Sequence, residues 1–130
     1  MKFTILYYDD EQELLFITKK ILEGKGHSVY CYTNTEHVFT DIENNKPDVL
    51  LLDLNILPEG GAAVVSKLKS SLAYRHIPVI LVSGDAYIAE ISKTCGANGF
   101  LEKPFTTTGL LNIIQLVTGA ASAVETARPL

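Results

Sequence analysis

A chain of 130 residues, 47% hydrophobic and 20% charged, has the size and composition of one globular domain with its own core. A formal charge of -4 supplies no basic field for nucleic acid, so direct DNA binding is not expected. The apolar runs fall short of the roughly 20 residues a membrane helix needs and no signal-peptide pattern opens the chain, so the expectation is a cytoplasmic protein with no membrane contact.

The first apolar run, Phe3 to Tyr8, predicts a strand ending at the acidic pair Asp9 and Asp10. A helix follows, with Leu14, Ile17, Thr18 and Ile21 as its apolar stripe and Gly24 and Gly26 at its end. Ser28 to Tyr32 reads as the second strand, and a helix runs from about Thr35 to Glu43, stopping before Asn44, Asn45 and Pro47. The third strand, Val49 to Leu52, delivers Asp53, and Ala63 to Leu72 forms the third helix. The fourth strand, Val79 to Val82, delivers Ser83, and the helix after it runs from Tyr87 to Thr94, closed by Gly96. A short strand at Phe100 and Leu101 leads into Glu102 and Lys103. Thr106 and Thr107 are candidate caps for a last helix from about Thr108 to Val117. Residues 119–130 lack apolar periodicity, which leaves a folded unit over 1–118 followed by a flexible tail or a linker cut short.

Strands alternating with helices imply βαβ units, hence a parallel sheet covered on both faces. The continuously apolar segments ILYY, VLLL and VILV belong in its middle. Cys31 and Cys95 are too few for a disulfide framework and lack metal-ligand spacing, and His27, His37 and His76 are scattered singly.

In such open sheets, ligands bind beyond the carboxyl ends of the strands. That edge collects Asp9, Asp10, Asp53, Ser83, Glu102 and Lys103. Any one of these acids alone reads as a strand-end or capping residue. Together, carboxylates a few ångströms apart repel unless they protonate or bind a cation, and hard oxygen ligands suit Mg²⁺. Lys103 adds a positive charge and Ser83 a hydroxyl, so the partner expected opposite the metal is an oxyanion, with phosphoryl the foremost candidate and Asp53 its nucleophile.

With these motifs in order, Asp9-Asp10-Glu11 after an apolar strand, LLLDL around Asp53, VSG at Ser83 and GANGFLEKPF ending in Lys103-Pro104-Phe105, the chain resembles the response-regulator receiver domains from about Phe3 to Val117. The resemblance implies a flavodoxin-like (βα)5 fold, a doubly wound parallel five-stranded sheet in the order 2-1-3-4-5. It implies that Asp53 accepts a phosphoryl group from a sensor histidine kinase or a histidine phosphotransfer protein. Asp10 and Asp53 would bind Mg²⁺ through carboxylates, Asn55 through its backbone carbonyl and Asp9 through water. Ser83 and Lys103 would hold phosphoryl oxygens, Phe100 would be the aromatic that swings inward with Ser83, and the Lys103-Pro104 peptide would be cis. Three features depart from the family pattern: Pro58 stands five residues after Asp53 rather than four, Phe100 lacks the hydroxyl of the more usual tyrosine so that its signal can only be steric, and Tyr7 and Tyr8 replace small aliphatics. A degenerate receiver acting only as an interaction module is the main alternative, but acceptor, acids and lysine are all in place. A haloacid-dehalogenase phosphatase needs a second acid where Asn55 stands, and a flavodoxin needs a hydroxyl- and glycine-rich loop where the two acids stand.

Helix phase suggests one more feature. If Leu14, Ile17 and Ile21 face the sheet, then at about 100° per residue Phe16 points away from it and Leu15 lies on the flank. In the last helix Leu110, Ile113, Ile114 and Val117 face inward, leaving Leu111 and Leu116 on the flanks. First and last helices share one face of a 2-1-3-4-5 sheet, so Leu15, Phe16, Leu111 and Leu116 form a candidate interface for a homodimer or another protein.

Overall fold

In the computed structural model, which describes residues 2–119, five strands and five helices alternate along the chain. They are β1 (Thr4–Tyr8), α1 (Gln12–Gly24), β2 (Ser28–Tyr32), α2 (Val38–Asn45), β3 (Val49–Asp53), α3 (Gly61–Lys69), β4 (Val79–Ser83), α4 (Ile88–Cys95), β5 (Gly99–Glu102) and α5 (Thr107–Thr118). The sheet is wholly parallel in the order β2-β1-β3-β4-β5, as the resemblance implies. Residues 120–130, the bulk of the expected tail, lie outside the described residues. No helix among those described is long and apolar enough to cross a membrane.

Side chains alternate across a strand, so each central strand feeds two cores. Leu6, Tyr8, Leu50, Leu52, Val79 and Leu81 pack under α2, α3 and α4. Ile5, Tyr7, Val49, Leu51, Ile80 and Val82 pack under α1 and α5. Burial on both faces is why β3 and β4 need five consecutive buried residues rather than alternating ones.

The helix bounds move for local reasons. Thr35 does not start α2, because its N–H and its hydroxyl both donate to the Leu57 carbonyl, which ties this loop to the loop after β3. α3 starts two residues early, at Gly61, where a Cβ would come 2.6 Å from the Asp53 carbonyl oxygen. Only glycine lets the helix begin so close behind the strand, and Gly60, at φ +88°, makes the turn that precedes it. The same helix stops at Lys69, whose ammonium donates to the Arg75 and Ile77 carbonyls of the following loop, so Leu72 is outside it and exposed. Thr106 caps α5 as expected, accepting the Gly109 N–H.

α1 corrects the expected interface. Its inward residues are Leu15, Thr18 and Leu22: of the predicted Leu14, Ile17, Thr18 and Ile21 stripe only Thr18 is buried, and Leu15 and Leu22 take places one position after Leu14 and Ile21. Leu15 is only 5% exposed, whereas Ile17 is 54% and Phe16 62% exposed. The run Leu14-Leu15-Phe16-Ile17 is apolar throughout, so hydrophobicity alone permits either phase, and the buried Leu22 decides between them. On α5 only Leu110 and Ile114 are fully buried, with Leu111, Ile113 and Val117 partly buried against the same core and Leu116 exposed. Leu15 is therefore a core residue and Leu111 is half core, leaving Phe16 and Leu116 as the exposed members of the expected set.

Candidate functional site

Backbone pairing carries on past the strands at their carboxyl ends. Asp9 N–H donates to the Tyr32 carbonyl, Leu54 N–H to Val82, and Lys103 N–H to Ser83. These bonds bring Asp9, Asp53, Ser83 and Lys103, distant in sequence, to one edge. The Lys103–Pro104 peptide is cis, as expected, and the Leu57–Pro58 peptide is cis as well.

Asp53 closes β3 and is buried. Its Oδ1 accepts a hydrogen bond from Lys103 Nζ at 3.1 Å and its Oδ2 accepts one from the Asn55 N–H at 3.2 Å. Asp9 is fully buried. Its Oδ1 accepts from the Glu11 N–H at 3.0 Å, while its Oδ2 receives the Tyr7 hydroxyl at 3.0 Å and Lys103 Nζ at 2.9 Å. Asp10 is exposed, and one carboxylate oxygen from each of Asp9, Asp10 and Asp53 lies within 4.8 Å of the other two. Lys103 also reaches Glu11 Oε1 at 2.9 Å. Ser83 is buried at the end of β4, its Oγ accepting the Asp85 N–H at 3.0 Å. Asn55 is exposed beside Asp53, and Phe100 sits on β5 at 39% exposure.

Three carboxylates, Asp9, Glu11 and Asp53, thus share one ammonium, and Asp10 adds a fourth negative charge beside Asp9 and Asp53. Burial pushes the Asp53 carboxyl above its ordinary value, the bond from Lys103 pulls it back, and the charge of Asp9 pushes it up again, leaving a net rise. For Lys103 burial alone would lower the pKa, but hydrogen bonds to Glu11, Asp9 and Asp53 outweigh it and hold the group as an ammonium. The Tyr7 phenol is raised far above its usual value, first by burial and then by Asp9, so it remains a donor. Excess negative charge in hard oxygen ligands, with Asp10 and Asn55 open to solvent, fits a divalent cation such as Mg²⁺.

Asp9, Asp10, Asp53, Asn55, Ser83 and Lys103 lie at this edge, whereas Phe100 sits within β5 opposite Leu81. Two more participate, Tyr7 and Glu11. Tyr7 stands two residues before Asp9 on the same strand face, a spacing that offers its hydroxyl to the carboxylate.

A five-stranded parallel sheet in this order, with acids and a lysine at its carboxyl edge, defines a flavodoxin-like fold of the CheY type. The profile of the response regulator receiver domain matches residues 5–115, and the chain belongs to that family. Among curated proteins it is similar to the sensory/regulatory protein RpfC of Xanthomonas campestris, 28% identical over 115 residues, covering 85% of this chain and 16% of that protein. It is also similar to the transcriptional regulatory protein KdpE of Staphylococcus aureus, 26% identical over 125 residues, covering 95% and 53%. The chain spans little more than half the length of KdpE and under a fifth of RpfC. Two solved structures share the fold. The chemotaxis response regulator CheY4 of Vibrio cholerae is 22% identical with a TM-score of 0.81, covering 90% of this chain and 99% of that one. The receiver domain of the sensor histidine kinase PA1611 of Pseudomonas aeruginosa, which holds a magnesium ion in its active site cleft, is 21% identical with a TM-score of 0.81, covering 92% and 99%.

Proposed function

We propose that Asp53 accepts a phosphoryl group from a phosphohistidine on a sensor histidine kinase or histidine phosphotransfer protein, in a Mg²⁺-dependent reaction in the cytoplasm. The observation that carries this reading is Lys103 in contact with Asp53 while the carboxylates of Asp9, Asp10 and Asp53 converge beside it. Asp10 and Asp53 would hold the ion through carboxylates, Asn55 through its backbone carbonyl and Asp9 through water. Bound there, Mg²⁺ supplies the positive charge that lets an anionic phosphoryl group approach an anionic carboxylate.

The remaining work falls to the chain. An Asp53 carboxylate oxygen attacks phosphorus, the P–N bond breaks, and its electron pair returns to the donor imidazole, leaving an acyl phosphate on Asp53. The Lys103 ammonium turns from carboxylates toward the developing phosphoryl charge. Ser83 accepts the Asp85 N–H, so its own O–H remains to donate to a phosphoryl oxygen. That donation draws Ser83 toward Asp53, and Phe100, half exposed on the neighbouring strand, follows inward as the steric signal to a partner. An open pocket of about 370 Å³, lined by Glu11, Leu14, Lys103, Pro104 and Phe105, offers the donor protein an apolar rim beside the lysine.

The test is incubation with a small phosphodonor with and without Mg²⁺, followed by intact mass. The expected result is gain of one phosphoryl group only with Mg²⁺. No gain in either case would replace this reading with that of a receiver acting solely as an interaction module.

A further inference from the structure

The Lys103 ammonium has three N–H donors, and the structure gives it three carboxylate partners, Asp9 Oδ2, Glu11 Oε1 and Asp53 Oδ1. A phosphoryl oxygen can be held by this group only if at least one of those bonds is given up. Glu11 is exposed and can exchange the ammonium for water. Asp9 is fully buried, with no water to take the ammonium's place, so it can release Lys103 only if other donors hold it, because a buried carboxylate left without donors is strongly unfavourable. Asp9 has a further side-chain donor. Tyr7, itself fully buried among the residues under α1 and α5, donates its hydroxyl to Asp9 Oδ2 at 3.0 Å from a strand that cannot move with Lys103.

We propose that Tyr7 is a positioning residue: its hydroxyl keeps the Asp9 carboxylate aimed at the Asp10 and Asp53 carboxylates whether or not Lys103 is bound to it, which frees Lys103 to serve the phosphoryl group. Oδ2 is held by Tyr7 and Oδ1 by the Glu11 N–H, two contacts that fix the plane of the carboxylate without the lysine. In the reading given above, Asp9 acts on Mg²⁺ through water, and partners that orient such outer ligands set metal affinity. The inference therefore rests on that reading for its metal consequence, but not for the geometry itself.

Tyr8 supplies the control. It is equally buried on the same strand, and its hydroxyl also donates to a carboxylate, Asp41 Oδ2 at 2.9 Å, but on the opposite face. Calorimetric titration with Mg²⁺ of wild type, Tyr7→Phe and Tyr8→Phe should show affinity weakened about tenfold in Tyr7→Phe and unchanged in Tyr8→Phe. Equal loss in both variants, or none in Tyr7→Phe, overturns the proposal. A metal-free readout separates its failure from failure of the functional reading. The Glu11 amide reports on Asp9 by its hydrogen exchange. Protection should persist in Lys103→Ala and be lost when Tyr7→Phe is added. If Lys103→Ala alone abolishes protection, Tyr7 does not position Asp9. If the wild type binds no Mg²⁺, the functional reading falls, and the Glu11 amide still decides the role of Tyr7.

Discussion

Two adjacent tyrosines on β1 make the same bond in two different surroundings. Tyr8 crosses to the α2 face, donates to Asp41 and stacks on Tyr32 with ring centroids 4.9 Å apart. Asn45 then donates to the Tyr32 hydroxyl and to the Asp41 carbonyl, closing a small network around one carboxylate. Tyr7 crosses to the other face and donates to Asp9, one of three carboxylates sharing a single lysine, with Asp10 close by. The first arrangement holds a single carboxylate among neutral partners and joins β1, β2 and α2. The second carries more carboxylates than its one ammonium offsets, an excess that a divalent cation would reduce. Clustered charge in a fixed geometry distinguishes the carboxyl edge of the sheet from the Tyr8 network.

The largest expected effect is at the carboxyl edge. Lys103→Ala removes the only ammonium among the described residues in contact with Asp9 and Asp53, so phosphoryl uptake from a small phosphodonor should fall about 100-fold. Uptake within a few-fold of wild type would place the charge stabilisation elsewhere.

Next comes the layer that covers Tyr7. Leu15→Ala should destabilise the protein by about 3 kcal/mol in denaturant unfolding, because Leu15 lies in the core beneath α1. Ile17→Ala should change stability by no more than about 0.5 kcal/mol, because Ile17 is exposed. The reverse order would restore the other phase of α1.

The Tyr8 network is expected to give a smaller effect. Tyr8→Phe takes a donor from a half-buried carboxylate and should cost about 1.5 kcal/mol, with phosphoryl uptake unchanged. Reduced uptake would show that the two faces of β1 are not separable.

The smallest effect belongs to the far end of β1. His27 Nδ1 accepts the Phe3 N–H at 3.0 Å, and its ring stacks on Phe3. Burial lowers the His27 pKa, followed by the positive N-terminus. The folded state therefore binds fewer protons than the unfolded one. The stabilising contribution is complete above the ordinary histidine value near 6.5 and is lost as pH falls below it toward the lowered folded value. Melting temperature should drop slightly between pH 7 and pH 5.5 in wild type, and drop less in His27→Gln.

Strand ends proved easier to read than helix faces. A strand's two-residue period and its buried runs leave little choice of register, so Asp9, Asp53, Ser83 and Lys103 could be placed at one edge from the order of the strands. α1 could not be phased in the same way, because four consecutive apolar residues satisfy a stripe in more than one rotation. The start of α3 was obscured for a different reason. Gly60 and Gly61 read as a loop, whereas the first makes the turn and the second opens the helix against the Asp53 carbonyl. The tyrosines before the acidic pair stood out as a departure from the family, but only three-dimensional placement shows that each hydroxyl has its own carboxylate.

The central claim is that Asp53 is the phosphoacceptor, and peptide mapping by mass spectrometry after treatment with a small phosphodonor and Mg²⁺ tests it most directly. The account predicts one acyl phosphate, on the peptide containing Asp53, and none in Asp53→Asn under the same conditions. A wild type modified at another residue, or an Asp53→Asn variant that still carries an acyl phosphate, would contradict it.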